Sequence, residues 1–390
     1  MAPIVVYVTG FRQHAGKTTT SLGILTQLRK IFPPSCLGYI KPVGQELVKL
    51  PDGTKVDKDA PIMKQFSGIP DIDLKAISPV RLGHGFTQHY LCADDQIAQT
   101  RKLEDAILQS FASLAHKKVI IAEGSGHPGV GGIVGISNAD VANLVGADLV
   151  FLSGGGIGKA LDMLEVDLSY FLYKKSRVRG ILFNKLIPEK METVSRYISE
   201  DLLNRKYGAF GGPLRILGFL PETKNLSNPS MLTIVETFPA LETIGDASSA
   251  SWQLPCEAIR IISASLEHLK LEPTIQPRDI VILEASSRRR LRSLLDYHRR
   301  LGGQGGLGGL IFSCGSTEAL DGESREAVLQ AGLPALYVQE DTAAAERKLL
   351  EIYEGTKLQL YDLQKVAEIE RLFERYFDLE KFLDTFKIKV

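Results

Sequence analysis

The chain has 390 residues, more than one ordinary domain needs and enough for two with cores of their own. Its 46 Lys and Arg balance 46 Asp and Glu, which excludes the global basic field that nucleic acid or an anionic membrane surface would require. Cys36, Cys92, Cys256 and Cys314 have neither paired spacing nor a histidine cluster, and no apolar run approaches the length of a bilayer span. The N-terminus enters an apolar stretch without a basic leader, so the expected setting is the cytoplasm, with small molecules or proteins as partners, no nucleic acid and no membrane.

Ile4 to Val8 is β-branched or aromatic, as a buried parallel strand requires, and Leu22, Leu25 and Leu28 recur at helical spacing after Gly16-Lys17-Thr18. A strand, a turn opened by Gly10 and a helix start together predict a phosphate-binding loop. N–H groups of such a loop and of the helix start converge on one spot and bind polyphosphate there. Lys17 would reach the outer phosphates and Thr18 would hold Mg²⁺ through its hydroxyl. Five residues separate Gly10 from Gly16, where the common loop has four.

Cys36 to Val43 reads as a second strand ending in Lys41-Pro42, because proline cannot continue a central ladder. Strand ends of this kind face the ligand crevice of a doubly wound sheet, so Lys41 is either a site residue or a solvated strand tip. Residues 44 to 100 form a polar, poorly periodic insertion in which Asp57 and Asp59 flank Lys58. Arg81, His84, Gly85 and His89 in the same stretch either recognise a substrate or cap a loop. Val119 to Ala122 is an apolar strand running into Glu123-Gly124-Ser125-Gly126-His127, and a carboxylate there can hold the Mg²⁺ that bridges phosphates. His127 has no second ligand at metal spacing.

Ala147 to Ser153 is another buried strand, and Gly154 to Gly158 after it reads as a tight turn. Val178 to Asn184 ends in an amide that is either an adenine partner or a turn residue. Leu214 to Leu220 with Pro221 completes an α/β alternation, which predicts a doubly wound, mostly parallel sheet. Asp246 to Trp252 reads as a linker, which divides the chain into domains 1–245 and 258–390. The second is a smaller α/β unit with strands at 279–283, 307–313 and 335–338. Within it, Gly302 to Gly309 reads as a flexible loop, and Arg288-Arg289-Arg290 either grips a phosphate or, as the favoured reading, forms a solvated helix face.

Gly10 to Thr18, Lys41-Pro42-Val43, Asp59-Ala60, Glu123-Gly124, Asn184, Leu217-Gly218 and Pro221, in that order, resemble dethiobiotin synthetase over about residues 1 to 240. The long loop spacing is that family's own. The resemblance implies that ATP is contacted by Gly10, Ala15, Gly16, Lys17, Thr18, Thr19, Asn184 and Pro221, with Asn184 on adenine. It also implies that Thr18, Asp59 and Glu123 hold Mg²⁺ and that Lys41 faces the substrate. That family makes a carbamate from CO₂ and a diamine, phosphorylates it with ATP and closes a cyclic urea. Arg12 and His14 stand where its loop is acidic, and Gly44-Gln45-Glu46 replaces a serine-containing segment, so the substrate end is rebuilt.

The N-terminal region of long bacterial phosphate acetyltransferases is more similar still, at Arg81 to Tyr90 and Glu123 to Gly131. Residues 279 to 353 resemble the DRTGG domain found after it, with the naming motif degraded to Ala285-Ser-Ser-Arg-Arg. The expected function is that of a Mg²⁺-ATP-binding protein, a slow ATPase or a ligase-like phosphoryl-transfer enzyme, with a C-terminal regulatory or assembly domain. Lys17, Lys41, His14 and Arg12 are the candidate catalytic residues, the last two as acceptor-orienting groups. The alternatives are a carbon-nitrogen ligase on another substrate and a nucleotide sensor without turnover. The expected partners are a nucleotide, an unidentified small molecule and a second copy of the chain in a dimer. Arg12 also stands five residues before Lys17, where dimeric partitioning-type ATPases place a lysine, although the double glycine of that motif is missing.

Overall fold

Residues 2–208, 212–262, 274–302, 305–316 and 320–390 are described by a computed structural model. They fall into two compact units, one formed by residues 1–222 with 366–390 and the other by residues 223–365. The last 25 residues of the chain thus belong with its beginning, whereas the sequence pattern places them in the second domain, 258–390.

In the first unit the central strand is β1 (Ile4–Gly10). Around it lie β2 (Leu37–Ile40), β7 (Val119–Glu123), β8 (Asp148–Ser153), β9 (Arg177–Leu186) and β10 (Arg215–Pro221). Their order is β10-β9-β8-β1-β7-β2, and every pairing is parallel. From β1 the chain passes over the place of β7 to reach β2, and later strands build outward on the other side. Connections therefore diverge beside β1, and a crevice opens at the carboxyl ends there.

Alternation along the strands serves two cores. Tyr7, Ile120, Ala122, Phe151, Ile181 and Phe183 face one side, where helices α4 (Gln96–Ser113), α5 (Asn138–Leu144) and α6 (Ile157–Tyr173) add Phe111, Ala142 and Leu164. Helix α1 (Lys17–Leu28) packs on β1 and β7 and is buried along nearly all its length. Its outer side is covered by the end of the chain. The Phe373 ring lies so close to Gly23 that a β-carbon there would sit 2.2 Å from it, and Lys30 pairs with Glu374 at 2.9 Å.

The insertion between β2 and β7 is ordered by pairings too short to leave a periodic signature. Strand β3 (Val43–Gly44) runs parallel to β6 (Val80–Arg81), and β4 (Leu47–Lys49) forms a hairpin with β5 (Lys55–Asp57). Helix α2 (Asp59–Phe66) follows directly.

The second unit holds the five-stranded sheet β11-β15-β14-β13-β12. In chain order these are β11 (Glu242–Ile244), β12 (Ile259–Ile261), β13 (Ile280–Glu284), β14 (Gly309–Ser313) and β15 (Ala335–Tyr337), parallel except for β11. The stretch read as a linker belongs to this unit. Glu242–Ile244 is an edge strand, and Trp252 is buried beside Phe238 and Cys256, which a Ser- and Ala-rich composition does not reveal. Of the glycine-rich segment, residues 303 and 304 lie outside the described residues. Gly308 and Gly309 are tightly packed, with β-carbon positions 2.2 Å from the Arg278 carbonyl oxygen and 2.3 Å from Met231 Sδ. Among the described residues no helix is long and apolar enough to cross a membrane.

Candidate functional site

The turn after β1 is built on backbone that few residues adopt. Gly16 has φ +91° and His14 has φ +61°, both in the left-handed region, where a side chain is strained. At Gly16 space is also short, because a β-carbon would sit 2.4 Å from the Asn184 amide nitrogen. Asn184 Nδ2 donates to the Ala15 carbonyl at 2.9 Å, so the end of β9 braces the loop from beside it. Gly10 is crowded by Ala15 and Leu152, each with a β-carbon 3.1 Å from the position its own would take.

Lys17 opens α1 and folds back over the loop, donating to the Arg12 carbonyl at 3.0 Å and to the Gly126 carbonyl at 2.8 Å. It thereby ties the loop to the turn after β7. Thr18, one residue on, donates its hydroxyl to Glu123 Oε1 at 2.8 Å. The same oxygen accepts from Lys41 Nζ at 2.8 Å, and Lys41 also donates to Asp59 Oδ2 at 2.6 Å. Tyr39 closes the cluster by donating to Glu123 Oε2 at 2.9 Å.

Three elements place these groups. Glu123 ends β7, which is buried throughout, and Lys41 follows β2 next to it with its own N–H held by the Ile77 carbonyl at 2.7 Å. Asp59 opens α2, where Asp57 Oδ1 accepts its backbone N–H at 3.0 Å. Asp57 Oδ2 accepts from the Gln45 N–H at 3.1 Å, so Asp57 joins the hairpin, the helix start and the acidic cluster.

The electrostatics follow from dryness. Burial drives the Glu123 carboxyl upward, and Lys41 offsets part of that. Burial alone would lower Lys41, but Asp59, Glu123 and Asp57 outweigh it and hold the ammonium pKa well above its usual value. Asp57, buried near two other carboxylates, is pushed up to about 6, with Lys41 opposing the rise. Burial raises Tyr39 first and Glu123 second, which keeps its hydroxyl protonated as a donor.

The turn after β7 is equally constrained. Asn138 Nδ2 donates to the carbonyls of Ser125 and His127 at 2.8 and 2.7 Å, while its Oδ1 accepts from Tyr7 at 3.1 Å and from the Ser125 N–H at 3.0 Å. Gly124 admits this amide, because a β-carbon there would lie 2.5 Å from Asn138 Oδ1. Ser125 donates its hydroxyl to the Val43 carbonyl.

The structure therefore brings Thr18, Lys41, Asp59 and Glu123 into one chain of contacts, with Lys17 tying the loop to the turn that follows Glu123 and Asn184 against the loop. Thr19 is the next residue of α1, and Pro221 ends β10 beside the end of β9. Arg12 is exposed, with its guanidinium 5.1 Å from the Phe11 ring. Tyr39 and Asn138 do not stand out in the sequence, and Asp57 stands out there only as one flank of Lys58. The available signals were the alternation that puts Tyr39 two residues before Lys41 and the Asp-x-Asp spacing of Asp57 and Asp59.

The site offers two carboxylates and a hydroxyl, hard oxygen donors of the kind magnesium takes, and the Lys41 ammonium marks where positive charge sits among them. Among the described residues no group of three or more His, Cys, Asp and Glu is placed to hold a metal ion by itself. A family model described as AAA domain matches residues 5–230. Among solved structures the chain is similar to the MinC:MinD cell division protein complex of Aquifex aeolicus, with 13% identity and a TM-score of 0.33 over 57% of this chain and 83% of that one.

Proposed function

The chain belongs to the AAA-domain family, whose model covers more than half of it, and from that premise we propose that it binds Mg²⁺-ATP and transfers the terminal phosphoryl group. The observation that carries this reading is the unbroken line of contacts from Thr18 through Glu123 to Lys41 and Asp59, directly beside Lys17 and its loop.

In this reading Thr18, Asp59 and Glu123 would hold Mg²⁺. The bound ion supplies positive charge to the phosphates. The chain supplies the rest. Loop N–H groups fix the phosphates at the start of α1, and Lys17 exchanges the Arg12 and Gly126 carbonyls for phosphate oxygens. Asn184, assigned to adenine by resemblance, already commits an amide hydrogen to Ala15, so we assign it first to holding the loop.

For the acceptor we retain a dethiobiotin synthetase-like ligase step as the finer reading, supported by Lys41 at the end of β2 between the two carboxylates. Gln45 and Glu46 line the rebuilt part, where Glu46 accepts from Gln13 of the loop at 2.8 Å and pairs with Lys58 at 2.8 Å. This polar rim favours an acceptor other than the usual diamine. We assign residues 223–365 a regulatory or assembly role. In support, residues 279–353 resemble the DRTGG domain.

The test is ATP binding by calorimetry together with ATP turnover, for wild type and Lys17→Ala, with and without bicarbonate and candidate diamines. Binding and turnover that both disappear in Lys17→Ala support the reading. Binding without turnover under every condition would leave a nucleotide sensor, and no binding by wild type would overturn the assignment.

A further inference from the structure

Two cations have a claim on one pair of carboxylates. Glu123 Oε1 accepts from both Thr18 and Lys41, so both of its lone pairs are used, and Oε2 accepts from Tyr39. Asp59 Oδ2 holds the same ammonium at 2.6 Å. A metal ion bonded to Glu123 Oε1 needs one of those lone pairs. Thr18 can keep its place by turning its hydroxyl hydrogen away and offering oxygen to the metal, whereas an ammonium has no lone pair to offer. On that oxygen, Lys41 is the group that must leave. Its main chain is fixed by the bond to Ile77 and by Pro42, so only the side chain can move.

Resting on the Mg²⁺-ATP reading above, we propose that Lys41 is a tethered counter-ion of the metal site. It neutralises Asp59 and Glu123 before metal arrives, and Mg²⁺ displaces its ammonium from them as it enters. The lysine keeps two dry carboxylates from repelling each other, which would otherwise open the site or force protons onto it. Exchange of one cation for another then makes metal binding the event that releases the ammonium for an incoming acceptor or phosphate.

Two measurements test this without recourse to turnover. In wild type, lysine acetylation read by mass spectrometry should speed up several-fold at Lys41 when Mg²⁺ is added. Lys117, buried and donating to the Ser35 carbonyl at 2.9 Å, should stay unchanged as an internal reference. In Lys41→Met the metal-free protein should melt lower than wild type, and Mg²⁺ alone should bind about tenfold tighter, since a competing cation has been removed. A Lys41 labelling rate indifferent to Mg²⁺ overturns the proposal even if the variant does not fold, and so does unchanged or weaker Mg²⁺ affinity in a folded variant. If wild type binds Mg²⁺-ATP tightly while either result fails, the counter-ion proposal alone is wrong. If wild type binds neither Mg²⁺ nor Mg²⁺-ATP, both it and the reading beneath it fall.

Discussion

Helices Lys17–Leu28 and Arg288–Arg300 are the instructive pair, one from each unit. Both follow a parallel strand through a short turn, yet they use charge in opposite ways. The second is amphipathic, burying Leu291, Leu294, Leu295 and Tyr297 and showing its arginines to water. Arg288 and Arg292 meet Glu323, and Arg299 meets Asp296 at 2.8 Å, all at exposed positions where an ion pair contributes about 0–1 kcal/mol. The first helix has almost no exposed face and carries Lys17 and Thr18 into a dry cluster. Charge density alone therefore does not locate the site. Charge without water does.

The largest expected effect breaks that contrast at its dry end. Glu123→Ala removes the acceptor shared by Thr18, Tyr39 and Lys41 and leaves a buried ammonium on Asp59 alone, which should cost about 3–5 kcal/mol in denaturant unfolding. A loss below about 1 kcal/mol would mean that the cluster is wetter than its burial implies.

Packing on the first helix sets the next effect. At Gly23 a β-carbon would lie 2.2 to 2.4 Å from the Phe373 ring, so Gly23→Ala must push that ring away. The expected cost is about 1–3 kcal/mol from overpacking, reduced by the roughly 1 kcal/mol of helix propensity that alanine adds. A stabilised variant would show that residues 366–390 yield easily at this position.

Asp167 on α6 sharpens the comparison because its carboxyl is largely buried and one of its oxygens, Oδ2, has no hydrogen-bond partner among the described residues. Burial alone raises its pKa to about 7. An acid with a raised folded pKa holds a proton that the unfolded chain has lost, so stability should fall as pH rises from about 4 to 7 and stay reduced above that. Part of the carboxyl remains near water, which limits the effect to about 1–2 kcal/mol. Unfolding curves at pH 4.5 and 8 should differ less for Asp167→Asn than for wild type by that amount.

Much of the first unit was legible because its signals are local. A β-branched run, a glycine turn and Gly-Lys-Thr determine where a loop and helix form, and proline after Lys41 marks the end of a strand. Whether Asp59 is dry could not be read from Asp57-Lys58-Asp59, since its burial comes from the pairing of Val43–Gly44 with Val80–Arg81 and from the 47–57 hairpin. Asn184 as the brace of Ala15 lies 169 residues from its partner, a distance that no local pattern spans. The return of residues 366–390 to α1 is hidden for a related reason: an amphipathic pattern states that a face is buried but not which partner buries it. Trp252 shows the reverse error, a composition suited to a linker around a residue that anchors a core.

The smallest expected effect tests the wet end of the comparison. Arg292→Ala removes the ion pair with Glu323, but both side chains are more than half exposed and Arg288 stands ready 3.8 Å from the same carboxylate. Stability should change by no more than about 0.5 kcal/mol, and added salt should erase the difference, because water and neighbouring charge already satisfy both groups. A larger, salt-independent loss would mean that Arg292 is shielded in solution by a surface not present in the isolated chain. The arginine face of 288–300 would then rank with the dry cluster as a place where charge is held for a purpose.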